Sequence, residues 1–174
     1  MESRRRRTRI TALRWTMYGL MLLVFAALQS TPGLFAVGAF KPCYILAICL
    51  AVSLCEGEYY GALYGVAGGL LWDYIAGRTV GMLALCLMFL CFFASVLVQL
   101  YLKASKLNFI LLNFAAGWLL LSTDFLFYYL MPGYAGAGMR YLTVVLPEAA
   151  VSAVISPVFL WMARRIQARF PIPE

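Results

Sequence analysis

Between Gly57 and Gly81 every fourth position is glycine except one: Gly57, Gly61, Gly65, Gly69, Gly77 and Gly81, with Asp73 in the remaining place. A step of four residues overshoots one α-helical turn by roughly 40°. These positions therefore trace a slowly winding ridge along one helix. In water the run would be a weak helix, since each interior glycine costs about 1 kcal/mol against alanine. In a bilayer the backbone must close its hydrogen bonds within the segment anyway, and glycine lets a second backbone approach closely. The stretch thus fits a membrane helix packed tightly on another. Two readings follow: plain helix packing through Gly57, Gly61, Gly65 and Gly69, or a polar docking or gating surface for a partner, because Asp73 shares the ridge.

The rest of the chain supplies the matching environment. Of 174 residues 64% are hydrophobic and 12% charged, which defines an all-α integral membrane protein. No linker rich in Ser, Pro or Gly divides it. All five cysteines lie in apolar runs without a CxxC pair, and histidine is absent; buried thiols are expected, with no disulfide, metal or cofactor site. The net charge of +7 is concentrated in Arg4, Arg5, Arg6, Arg7, Arg9 and Arg14, ahead of the first apolar run. Such a cluster anchors a membrane helix on the cytoplasmic side and attracts anionic lipid; nucleic acid is not an expected partner. The first apolar run lacks a small-residue cleavage site and is expected to be retained.

Six spans are expected, at about 15–34, 35–55, 57–76, 79–102, 107–130 and 141–162. They form one transmembrane domain over 15–163, between a basic segment 1–14 and a tail 164–174. The second span contains Lys41-Pro42 and is cleanly helical only after it, so a break or a helix starting below the surface is expected there. An even number of spans puts both termini on one side. That side would carry eleven basic residues, against three (Lys41, Arg78, Arg140) on the other, which predicts cytoplasmic termini and a bacterial inner-membrane, multi-pass location.

The loops are too short to fold; the longest, Met131 to Arg140, has ten residues. Neither a phosphate-binding loop nor a serine nucleophile motif occurs, so no catalytic residue is expected. Three carboxylates fall within the spans, Asp73, Asp124 and Glu148, all in the outer third. Acids there rarely face lipid. They can cap helix ends, or meet in a shared polar cluster with Arg78 or Arg140. In the last span Pro147 and Pro157 are expected to kink the helix and free carbonyls for neighbouring hydroxyls. Ala149 and Ala153 between them offer a second close-packing surface, for the glycine ridge or for another protein.

These features together resemble the bacterial rod shape-determining MreD family over nearly the whole chain. The resemblance rests on Leu28-Gln29-Ser30-Thr31, on Lys41-Pro42, and above all on Gly57-x3-Gly61-x3-Gly65-x2-Gly68-Gly69-Leu70-Leu71-x-Asp73. Asp124, Leu146-Pro147, Ser156-Pro157-x-Phe159 and Arg164-Arg165 extend it. The chain departs from the family pattern at Cys43, Glu148 and Ser152. The resemblance implies a non-enzymatic subunit of the cell-wall elongation machinery. Its partner would be the bitopic protein MreC and, through it, MreB, RodA and a penicillin-binding transpeptidase; self-association stays open. The architecture is also similar to substrate-binding subunits of energy-coupling-factor transporters. On that alternative, Asp73, Asp124 and Glu148 would line an outward pocket for a vitamin-type molecule.

Overall fold

A computed structural model describes residues 2–31, 42–77, 81–101, 105–133 and 137–171, and of residues 2–7 and 137 the backbone only. Lys41 and Arg78, assigned above to the far side, lie outside the described residues. Within them the chain is helical, without a strand. Helix α1 is Glu2–Ser30, α2 Tyr44–Glu56, α3 Glu58–Ala76, α4 Met82–Leu100 and α5 Lys106–Phe125. A π-helical turn, Leu126–Leu130, prolongs α5. Short α6 (Ala137–Arg140) runs through a second such turn, Tyr141–Val145, into α7 (Leu146–Arg169). The basic amino-terminal segment is thus the first part of α1. Four stretches are long and apolar enough to cross a membrane: Thr8–Ser30, Met82–Leu100, Lys106–Leu130 and Gly138–Arg169. Helix α3 has the length, but glycines, tyrosines and Asp73 dilute its apolar character.

Helix α2 is the axle. With 13 residues it is about 20 Å long, against a hydrocarbon core of about 30 Å. Every residue from Tyr44 to Ser53 is buried. Around it the other helices form a ring in the order α1, α3, α4, α5, α7, and each of them touches α2. A helix apolar on all sides has no lipid or water face to choose, so burial at the centre suits it.

The four-residue glycine repeat divides into two structural roles. A Cβ on Gly69 would collide with the Ala84 backbone of α4, and one on Gly65 would lie 2.9 Å from the Leu87 carbonyl oxygen. On the adjoining side, Gly61 and Gly68 would strike Ser53 and Cys49 of α2. The ridge is therefore filled from within by α2 and α4. Hydroxyl bonds fasten the same layer: Ser53 Oγ donates to the Cys91 carbonyl at 2.6 Å and Ser95 Oγ to the Ser53 carbonyl at 3.2 Å. Gly57 does not belong to this contact. Its φ of +91° forms the one-residue turn from α2 into α3, a conformation that glycine adopts without strain. Gly77 and Gly81, also at positive φ, shape the next turn.

Ala149 and Ala153 are buried too, but not against the glycines. Helix α7 packs on α5 and α2, and the Ala149 methyl lies 3.8 Å from where a Cβ on Gly117 of α5 would sit. Pro157 stands inside α7 and cannot donate to the Ala153 carbonyl. Ser156 Oγ takes that place at 2.7 Å. Pro147 stands one residue past the π turn; it has no N–H for the Thr143 carbonyl, and the chain before it winds wide.

Candidate functional site

The two ends of the bundle differ. At the end where α1 begins and α7 finishes, Arg14 is turned inward instead of serving only as a surface anchor. It forms an ion pair with Glu56 of α2, both side chains at most 7% exposed. Tyr18 donates to Glu56 Oε1 at 2.7 Å, and Tyr64 donates to the Tyr18 carbonyl at 2.7 Å. Gln167 of α7 donates to the Cys55 carbonyl at 2.7 Å, and Arg14 to the Phe170 carbonyl at 3.4 Å. Four helices are tied at one point. Sequence reasoning missed this knot, because Arg14, following the arginines at 4–7 and 9 ahead of the apolar run, reads as one more anchoring charge. Glu56 just before the turn glycine was the available signal.

The opposite end is packed differently among the described residues, and the length of α2 is the reason. Where the axle stops, the surrounding helices continue, leaving a cavity of about 370 Å³. The backbone N–H groups at the start of α2 are satisfied by its neighbours: Ser152 Oγ accepts from Cys43 N–H at 2.7 Å and Gln29 Oε1 from Ile45 N–H at 3.0 Å. Both belong to other helices, so α2 is capped by tertiary contacts and not by its own sequence.

Asp124 of α5 and Glu148 of α7 both line this cavity, with Arg140 from the connection before α7. Trp72, Phe125 and Tyr129 supply aromatic walls. Glu148 Oε1 lies 3.5 Å from Cys43 Sγ. The Arg140 guanidinium sits over the Tyr129 ring at 4.9 Å, an attraction of cation to π-face. Both π turns contribute to the wall, through Tyr129 and through Val144 and Val145.

Asp73 is not among the lining residues, although its neighbour Trp72 is. Its carboxylate is fully buried and accepts from Gly81 N–H at 2.8 Å and Leu83 N–H at 3.3 Å. It fixes the start of α4, where an anion also meets the positive end of the helix dipole. Of the two readings open for the three carboxylates, capping holds for Asp73, whereas Asp124 and Glu148 line one cavity. Asp73 lies on the ridge, but its charge is used within the chain. The cavity joins a cationic and two acidic groups to aromatic surface, a combination that can hold a small polar molecule. Among the described residues no group of three His, Cys, Asp or Glu is placed to hold a metal.

A helical bundle with an internal charged knot, a cavity at its other end and four helices long and apolar enough to cross a membrane defines a helical membrane protein. The family model for the rod shape-determining protein MreD matches residues 9–166, and the chain belongs to that family. Its role is accordingly in rod shape determination; the family is one of structural membrane proteins and not an enzyme family. No curated protein and no solved structure matches the chain.

Proposed function

We propose that this protein is a non-enzymatic scaffold of the cell-wall elongation complex, spanning the inner membrane six times with both termini in the cytoplasm. It would bind MreC and, through it, support MreB, RodA and a penicillin-binding transpeptidase in peptidoglycan synthesis. The observation that carries this reading is the family match over nearly the whole chain. The basic amino-terminal turns of α1, with their excess of arginine, support the orientation and gather anionic lipid loosely.

The two small-residue surfaces first considered as seats are occupied by the protein's own helices. The single membrane helix of MreC would therefore bind the lipid-facing circumference of the ring. Affinity purification in mild detergent from a rod-shaped bacterium tests the reading: MreC is expected to copurify, and an unrelated polytopic control should bring none. Equal recovery with the control would end it.

The axial cavity favours one second reading, a substrate-binding membrane subunit of a vitamin-type transporter. Its volume falls at the lower edge of small-molecule pockets. A stoichiometric vitamin in the purified protein, or tight binding of one, would favour that reading over the scaffold.

A further inference from the structure

The knot of Arg14 and Glu56 leaves Arg165 and Arg169 at the same end without acidic partners among the described residues. Glu56 is bound to Arg14 and Tyr18, and Glu58 accepts from Gln99 Nε2 at 2.7 Å. Among the described residues neither Arg165 nor Arg169 has a carboxylate partner. They stand four apart on α7, which puts both guanidinium groups on one helix face. That face borders an open groove of about 700 Å³ between α7 and α1, with Met17, Ile166, Ala168 and Phe170 as its apolar surface. Arg165 is oriented by Trp161, whose ring lies 5.2 Å from the guanidinium carbon.

Beyond the arginines both helices continue as exposed apolar stripes at helical spacing: Val154, Val158 and Trp161 on α7, and Leu20 and Val24, following Met17, on α1. We infer that this groove seats one anionic phospholipid, with its phosphate between Arg165 and Arg169 and an acyl chain along Met17 and the stripes beyond. Charge complementarity selects an anion, since a phosphate accepts from two guanidinium groups at once. The apolar continuation selects a lipid over a soluble phosphate or an acidic peptide, which would have no use for it. The inference goes beyond the scaffold reading and is tested without any partner protein.

Native mass spectrometry of the full chain in mild detergent, with phosphatidylglycerol or phosphatidylcholine added, reads the site. One phosphatidylglycerol is expected to bind several-fold more tightly than phosphatidylcholine. Neutralising both arginines (Arg165→Gln with Arg169→Gln) should weaken it about fivefold per arginine, roughly twenty-five-fold together. Met17→Glu keeps both arginines and should weaken it by repulsion, which guards against a folding defect in the double variant. Neutralising Arg4 to Arg7 should change it less than about twofold. Equal retention of the two lipids, an equal loss in the amino-terminal variant, insensitivity to Met17→Glu, or displacement by millimolar inorganic phosphate would each overturn the inference.

Discussion

The two ends of the bundle hold similar chemistry and put it to opposite uses. Near the termini, Arg14 and Glu56 meet with Tyr18 in a packed interior, so their charges are spent on holding α1 and α2 to each other and to the end of α7. At the far end Arg140, Asp124 and Glu148 surround a space. The difference lies in where α2 reaches. Its last turn delivers Glu56 into the knot, whereas its first turn stops short of the other end and leaves the outer side chains facing a void. A charge against packed protein is structural, and the same charge beside a cavity is available to a ligand.

That contrast predicts an ordered series of effects, readable by reversible unfolding in detergent. Arg14→Leu strands a buried carboxylate and should cost the most, about 3–5 kcal/mol; Arg14→Leu with Glu56→Leu should recover much of it. A cost below about 1 kcal/mol for the single change would show the knot to be peripheral. Asp73→Leu removes two charge-assisted bonds from the start of α4 and should cost about 2–3 kcal/mol. It should also impair rod shape in a complementation assay more than Leu71→Ala, and equal tolerance of both would take Asp73 out of consideration.

Ser152→Ala unties the start of α2 beneath the cavity and is expected to cost about 1 kcal/mol, as lost caps do. Asn113→Leu should be neutral or stabilising by up to about 1 kcal/mol, because the fully buried Asn113 amide has no hydrogen-bond partner among the described residues. A clear loss would mean that the amide is engaged in the native membrane. Smallest of all, Asp124→Asn and Glu148→Gln should each change stability by less than about 0.5 kcal/mol, since the cavity can admit water. Stability losses comparable to Arg14→Leu would erase the distinction between the two ends.

Several of these features could be read from the chain alone. Pro42 limits how early α2 can begin, and the break expected there agrees with a helix that starts at Tyr44. The hydroxyl expected to serve a carbonyl freed by proline is Ser156, bonded to Ala153. The glycine spacing was legible as a ridge, but spacing cannot tell a packing glycine from a turn glycine. Gly57, Gly77 and Gly81 share the period of Gly61, Gly65 and Gly69, yet they serve turns through positive φ. Equal depth left capping and clustering both open for the three acids; rotation about the helix axis, which depth does not specify, sent Asp73 to cap α4 and set Asp124 and Glu148 on one cavity.

By itself the sequence determined the material and the periods: apolar helices of membrane length, bare backbone at every fourth position, a basic beginning and no histidine. These are local properties, since hydrogen-bond closure and side-chain volume act within a few residues of the chain. Only the tertiary structure decided that α2, too short to span the bilayer core, stands at the centre and that α2 and α4 fill the glycine ridge. It also decided that one arginine of a surface cluster turns inward to a glutamate forty-two residues away. Those choices depend on which helix faces meet, and that is settled by how the whole set of surfaces packs around one axis.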